Sequence, residues 1–287
     1  MTDKSVRQLY PALRDDIGDL RTTRPIPNAR ISQIDPFLFL NHHGPQRYPA
    51  GNRGLPFGPH PHRGFETVTF ILEGELAHRD SAGHESIIRA GGVQWMTAGR
   101  GIVHAEVSPR SFLELGGPLE ILQLWVNLPA QLKMTPPAYT GLQRDAIPAI
   151  ELDHGNAVLN LIAGRFDGQQ GPVVSLTGVF MSTLYLHPGA TVHLAGLAGR
   201  NVLLYLVKGN VQVGDTFVAQ QHLVELSDEG DSLCLHAQAD SILLFGHADP
   251  IGETVVAHGP FVMNTQEEIN TAMLDYQAGR FGAPLPG

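Results

Sequence analysis

The chain has 287 residues, a formal charge of −9 at pH 7 and 43% hydrophobic residues. That length is sufficient for one large or two ordinary domains with filled cores. The acidic balance and the lack of a Lys/Arg cluster argue against direct nucleic-acid binding, which depends on counterion release by basic side chains. Any role in gene regulation would therefore require a protein partner.

The expected location of the protein is the cytoplasm. No apolar run approaches the ~20 residues that span a bilayer, and the first residues, MTDKSVRQLY, lack the apolar core of a signal peptide. The single cysteine, Cys234, cannot form an internal disulfide, which fits a reducing compartment. We expect no membrane association and take a monomer as the default state.

Short β-branched and aromatic runs indicate a β protein. From residue 65 to 126 these runs follow one another every ~10 residues, separated by glycine-rich turns, which is typical of a β-sandwich or jelly-roll barrel. The same spacing resumes after PAQLKMTPPAY at 129–139, which we interpret as an inter-domain connector. The chain therefore reads as two similar β domains in tandem.

The two halves align as diverged copies, because FILEGEL at 70–76 can be laid on YLVKGNV at 205–211. This register places Gly74 on Gly209. Counting from these glycines, and from Gly92 and Gly230, the positions that match the candidate metal ligands described next are all apolar: Ala195, Leu197, Ile242 and Leu244. We therefore expect metal ligands in the N-terminal half alone.

Two histidine and glutamate motifs stand out in the first half. His60, His62 and Glu66 lie at even spacings, as do His104 and Glu106, and even spacing along a strand places side chains on one face. Two such strands in one barrel could direct several imidazoles and one or two carboxylates at a single point. Such ligands suit Fe, Mn, Co, Ni, Cu or Zn and leave coordination positions open.

We do not expect the other histidines and the tryptophans of this half to be metal ligands. His42 and His43 are adjacent, so at most one could approach a metal, and we expect them at a polar rim. His78 and His84 flank a turn and are expected in solvent. Trp95 and Trp125 are expected in the core.

These residues also carry a family resemblance. The run from Gly54 through His60 and His62 to Glu66 resembles the first cupin motif, and HPHRGFETVTFILEGELAHRDS with GGVQWMTAGRGIVHAE is similar to the pirin family. The resemblance extends through LQLWVNLPAQLKMTPPAY to PFVMNTQEEINTAMLDYQAGRFG. It implies an all-β fold of two tandem cupin domains, each a jelly-roll β-barrel, with a short C-terminal helix. We expect a metal-binding domain over residues 1–132 and a second cupin domain over residues 133–287.

Glu66 and Glu106 are both candidate carboxylate ligands, and the sequence patterns disagree on which one binds the metal. A general cupin pattern makes Glu66 the ligand, whereas the pirin resemblance makes Glu106 the ligand. Spacing favours Glu106, because a straight strand would place Glu66 ~13 Å from His62. The predicted metal set is therefore His60, His62, His104 and Glu106, with Glu106 also the candidate catalytic residue.

The resemblance further implies Fe(II) as the first choice of metal and an activity of the quercetin 2,3-dioxygenase type, in which O2 opens the heterocyclic ring of a flavonol. The expected partners are then O2 and a small aromatic molecule. The alternative is a non-catalytic, iron-dependent redox regulator that acts through a protein partner. A turnover assay distinguishes the two.

The sequence predicts a closing helix near the C-terminus. Thr265 and Glu268 form a capping box, and Gly279 supplies a left-handed stop. Between them, Ile269, Ala272, Met273 and Tyr276 form one apolar stripe.

Overall fold

The computed structural model describes residues 2–285, and β-strands dominate this part of the chain. In chain order the strands are β1 (Val6–Pro11), β2 (Leu13–Arg14), β3 (Thr22–Ile26), β4 (Phe37–Tyr48), β5 (Phe57–His62), β6 (Phe65–Glu73), β7 (Glu75–Asp80), β8 (Glu85–Arg89), β9 (Val93–Thr97), β10 (Ile102–Val107), β11 (Gly117–Asn127), β12 (Ala138–Leu142), β13 (Ala149–Leu152), β14 (Ala157–Ala163), β15 (Arg165–Phe166), β16 (Gln169–Gln170), β17 (Phe180–Leu186), β18 (Thr191–Ala195), β19 (Asn201–Lys208), β20 (Asn210–Val213), β21 (Thr216–Ala219), β22 (His222–Leu226), β23 (Ser232–Ala237), β24 (Ser241–Ala248), β25 (Val256–His258) and β26 (Phe261–Met263). The helices are α1 (Arg110–Leu115) and α2 (Gln266–Gln277), with short 3₁₀ turns at Ala130–Leu132, Arg144–Ala146 and Asp153–Gly155.

The chain forms two compact units, and each is assembled from separate stretches of sequence. The unit named here the histidine unit comprises residues 14–23, 37–144 and the stretch from 251 onward. The unit named here the apolar unit comprises the stretch up to residue 13, residues 24–36 and residues 145–250.

The histidine unit is built from two sheets. The larger has the strand order β12-β9-β6-β11-β4-β3-β2, and the smaller has the order β5-β10-β7-β8. Ile71 and Ile121 of the larger sheet pack with Leu76 and Ile88 of the smaller sheet in one buried cluster. Strand β6 is buried over most of its length on both faces, as expected for a central strand.

The apolar unit repeats this plan, with one sheet ordered β1-β22-β19-β24-β17-β14-β13 and a second ordered β18-β23-β20-β21. Gly74, between β6 and β7, has φ +85°, and Gly209, between β19 and β20, has φ +88°. Both glycines therefore occupy the left-handed turn that glycine favours. The alignment of Gly74 with Gly209 is thus confirmed.

The register drawn from Gly230 was wrong. The order of strands makes β23 the counterpart of β10, yet Ile242 and Leu244 lie on β24, the counterpart of β11. Gly92 precedes β9, whereas Gly230 follows β22, the counterpart of β9, so the two glycines are not equivalent and the count began one strand too late. On β18 and β23 the side chains that enter the core are nonetheless apolar: Val192, Leu194, Leu233 and Leu235.

Helix α2 begins and ends where the sequence predicts. The Thr265 hydroxyl accepts a hydrogen bond from the Glu268 amide at 3.2 Å, and the Glu268 carboxylate accepts one from the Thr265 amide at 3.0 Å. Gly279 has φ +71° and stops the helix. Ile269 and Ala272 are buried in a cluster with Phe261 and Met263.

Both ends of the chain differ from the expected domain boundaries. Strand β1 pairs with β22 of the apolar unit, whereas α2 packs on β25 and β26 of the histidine unit. Strand β12 begins within the expected connector and pairs with β9, so the histidine unit extends to residue 144. Strands from distant parts of the sequence form the sheet edges, and the sequence does not show which edge each strand completes, which explains these differences.

Among residues 2–285, no helix combines the length and apolarity needed to cross a bilayer.

Candidate metal centre

Two neighbouring strands bring three histidines together. Strands β5 and β10 are antiparallel, with His60 opposite His104 and His62 opposite Ile102. One nitrogen from each ring of His60, His62 and His104 lies within 4.8 Å of the others. Within residues 2–285, no other group of His, Cys, Asp or Glu side chains is compact enough to hold a metal ion.

Burial keeps two of these imidazoles neutral. His62 and His104 are 3% and 0% exposed, and burial together with the neighbouring histidines lowers the pKa of each well below 6.5. The neutral imidazole is the form that binds metals. In the described part of the chain, neither ring nitrogen of His104 has a hydrogen-bond partner. A buried polar group without a partner is costly, so this site fits a divalent metal.

Hydrogen bonds to backbone oxygens orient the other two rings. His60 Nδ1 lies 2.8 Å from Gly58 O, and His62 Nδ1 lies 3.4 Å from Pro260 O. When Nδ1 donates to a carbonyl, Nε2 carries the lone pair for ligation. His60 is partly exposed, so the centre is open toward solvent on the β5 side.

Glu106 shares strand β10 with His104 but falls outside the compact group of three histidines. It is two residues from His104 on β10 and therefore on the same face. Its carboxylate is fully buried and accepts hydrogen bonds from Thr69 Oγ1 at 2.9 Å, Gln94 Nε2 and Gln123 Nε2. These three donors were not identified from the sequence, because they come from strands β6, β9 and β11 of the other sheet.

The expectation that Glu66 shares a face with His60 and His62 was wrong. The chain turns at Gly64, where φ is +91° and a side chain would collide with the Val262 carbonyl, so Glu66 lies on β6. Thr69 contacts Glu106, and Glu66 is an odd number of residues away on that strand, so Glu66 points to the opposite face. There it accepts a hydrogen bond from Thr97 Oγ1 at 2.7 Å, and burial raises the pKa of its carboxyl.

His78 is buried, contrary to the expectation that it lies in solvent. It is opposite Glu106 in the β7–β10 pair, its Nε2 lies 3.1 Å from Asp80 Oδ2, and its ring centroid is 5.5 Å from that of His104. Leu76, His78 and Asp80 alternate inward along β7, and this period-two pattern was the missed signal. His84 is 43% exposed and contacts Asp80 at 2.9 Å.

Hydrogen bonds lower the pKa of Asp80. Burial opposes its ionisation, but bonds from His78 and from the amide and ring of His84 outweigh that effect and lower the pKa to about 2. Asp80 therefore stays ionised beside His78 and fixes its ring. His42 and His43, which were expected at a polar rim, are fully buried, with Glu120 Oε1 2.8 Å from His42 Nε2 and Thr22 Oγ1 2.8 Å from His43 Nδ1.

An aromatic wall stands beside His62. The ring of Trp125 stacks on Phe39 with centroids 4.6 Å apart, and it lies 4.4 Å from Phe65 and 5.4 Å from His62. Trp125 and Phe39 are partly exposed, so this wall is accessible from solvent. Trp95, in contrast, is 3% exposed, as expected for a core residue.

A buried lysine supports the turn that follows His62. Lys133 is 1% exposed, and its Nζ donates to Gly64 O at 2.8 Å, Asn127 Oδ1 at 2.7 Å and Val262 O at 3.1 Å. Burial lowers the pKa of this ammonium to about 8. The lysine thereby joins the turn after β5 to β11 and to the segment around β26.

Comparison with known proteins agrees with this architecture. The family model described as Pirin matches residues 19–126, and the model described as Pirin C-terminal cupin domain matches residues 181–282. A Pseudomonas aeruginosa protein provisionally named a quercetin 2,3-dioxygenase is 39% identical, covering 88% of this chain and 89% of its own. Human Pirin is 36% identical over 91% of this chain and 88% of its own.

The solved structures give the same result. The crystal structure of quercetin 2,3-dioxygenase from Acinetobacter baumannii has a TM-score of 0.92 and 35% sequence identity, covering 99% of this chain and 100% of that chain. Both halves of the chain thus match in sequence and in fold, and the chain belongs to the pirin family, with two cupin domains and a short C-terminal helix.

Proposed function

We propose that His60, His62 and His104, with Glu106 as the fourth ligand, hold one divalent transition metal. Fe(II) is the first choice, and Zn, Mn, Ni, Co and Cu are the alternatives that nitrogen and oxygen ligands also accept. The observation that carries the proposal is the convergence of three imidazoles, one of them fully buried and without a hydrogen-bond partner in the described chain. We add Glu106 as the fourth ligand because its carboxylate lies on the same face of β10 as His104.

We further propose that the centre serves a dioxygenase of the quercetin 2,3-dioxygenase type, acting on O2 and a small aromatic substrate such as a flavonol. The similarity to the Acinetobacter baumannii enzyme supports this reaction class. When bound, such a metal supplies Lewis-acid and oxygen chemistry. Glu106, as the carboxylate at the site, is our candidate acceptor for the proton of the substrate hydroxyl, and taking that proton requires Oε2 to give up its bond from Gln123 or its bond to the metal. Trp125 and Phe39, both partly exposed, offer apolar ring surface against which an aromatic substrate could pack.

The decisive experiment is anaerobic loading with each candidate metal, followed by measurement of O2 uptake and carbon monoxide release with quercetin. The proposal expects turnover with the native metal and none with the metal-free protein. Glu106→Gln should remove turnover, whereas Trp95→Phe, which alters a core residue, should retain it. Metal-loaded protein that consumes no O2 with any of a panel of flavonols and catechols would contradict the enzyme proposal. In that case the non-catalytic regulator becomes the account to test.

A further inference from the structure

We infer that a row of uncharged donors across the larger sheet positions Glu106 for the metal. Gln94, Thr69 and Gln123 are direct neighbours on β9, β6 and β11, because Thr69 pairs with Gln94 on one side and with Gln123 on the other. All three side chains reach the Glu106 carboxylate. This set is named here the donor row. The inference rests on the proposed metal centre but not on the flavonol reaction.

The hydrogen bonds leave Glu106 one preferred atom for ligation. A carboxylate has about four lone-pair sites, two on each oxygen. Oε1 accepts from both Thr69 and Gln94, whereas Oε2 accepts from Gln123 alone. The remaining site is therefore on Oε2, so Glu106 can bind a metal through that oxygen while all three donors stay in place.

The orientation of the Gln94 amide is itself fixed. Tyr139 on β12 donates from its hydroxyl to Gln94 Oε1 at 3.4 Å, so Gln94 Nε2 is left to donate to Glu106. The Tyr139 hydroxyl also lies 2.5 Å from Ser86 Oγ. Its ring stacks on His78 with centroids 4.0 Å apart. The donor row is therefore held by packing, which is how outer groups orient a metal ligand.

If the donor row only provided hydrogen bonds to a buried carboxylate, removing a donor would not change metal binding. The experiment therefore measures metal binding directly. Co(II) is a suitable probe, since its visible absorption reports the ligands around it. The key variants are Gln123→Met and Thr69→Val, which remove a donor and preserve shape. Thr69→Ser keeps the hydroxyl and is the conservative rescue. Thr183→Val, at a buried strand threonine of the apolar unit, is the matched control.

The inference predicts that Gln123→Met and Thr69→Val each weaken Co(II) binding by about 10-fold to 100-fold and change the absorption spectrum. Thr69→Ser and Thr183→Val should match the wild type in both. Wild-type affinity and spectrum in the two key variants would overturn the inference, and tighter binding would show that the row holds Glu106 away from the metal. If Gln123→Met does not fold, the Thr69 pair decides the question. Wild-type protein that binds no Co(II) would overturn the metal centre and this inference together.

Discussion

The direction in which each side chain points decides the roles of the two carboxylates. His104 and Glu106 share a face of β10, whereas Glu66 points away from the face of β6 that contacts Glu106. Spacing along a straight strand favours Glu106, but one residue of offset reverses the face, so spacing alone could not show on which face Glu66 lies. The contact between Thr69 and Glu106 shows that Glu66 points to the other face of β6.

This difference gives a paired prediction at the residue scale. Glu106→Gln removes a charged candidate ligand, so Fe(II) binding should weaken by at least about 10-fold, and any turnover should be lost. Glu66→Gln is the matched control, because Glu66 bonds to Thr97 and not to the centre, and it should retain the metal. Equilibrium titration with elemental analysis of both variants measures the effect. Retained iron in Glu106→Gln with loss in Glu66→Gln would reverse the assignment.

At the scale of single elements, α2 and the turn after β5 support the ligand strands of the histidine unit. Arg63, next to His62, donates from Nη1 to Asp275 of α2 at 2.9 Å and from Nε to Arg100 O at 2.6 Å. Its guanidinium lies 4.6 Å from the Phe281 ring centroid. The C-terminal segment is therefore connected to the residues that precede and follow the histidine strands.

The helix gives the first prediction at this scale. Ile269 is fully buried in the cluster with Phe261 and Met263, so Ile269→Ala should lower the free energy of unfolding by about 2 to 4 kcal/mol. Leu274 is 65% exposed on the same helix, and Leu274→Ala should change stability by less than about 0.5 kcal/mol. Urea denaturation of both variants measures this. Equal stabilities would mean that α2 is not docked as described.

Lys133 gives a prediction for pH. Its folded pKa of about 8 lies below the ordinary 10.5, so the unfolded chain binds more protons between these values and stability rises with pH across that range. The Lys133→Met variant lacks the titrating ammonium and serves as the reference. The free energy of unfolding of the wild type, relative to the variant, should therefore increase by about 2 kcal/mol between about pH 8 and pH 10. Denaturant titrations of both proteins at several pH values give the difference, and a flat or falling difference would contradict the assigned burial.

At the scale of the whole molecule, the two units share one strand plan, and residues 2–285 contain one candidate metal centre, in the histidine unit. The apolar unit keeps the strand order and the glycine turn of the histidine unit, but its core-facing side chains on β18 and β23 are apolar. His193, Cys234 and His236 alternate with those core residues and lie at least partly in solvent. The same fold thus holds a polar centre in one unit and a hydrophobic core in the other.

The helix cap and the His-x-His and His-x-Glu motifs could be predicted because each is a local pattern of two to four residues. The strand spacing and the repeat could be predicted because turn glycines and apolar runs recur along the chain. The sequence did not contain the burial of His78, the donor row or the exchange of strands at the two ends. Those features depend on which strand pairs with which, and pairing between distant segments leaves little local signal. Gly64 illustrates the limit, since its turn moves Glu66 to another sheet although the spacing from His62 is even.

The most direct test of the metal centre is its stoichiometry. Protein loaded anaerobically with excess Fe(II) and freed of unbound metal should contain close to one iron per chain by elemental analysis. His62→Ala should lose most of that iron, whereas His193→Ala, on the solvent side of the apolar unit, should keep it. A wild-type value near zero, or one near two that persists in His62→Ala, would contradict the account.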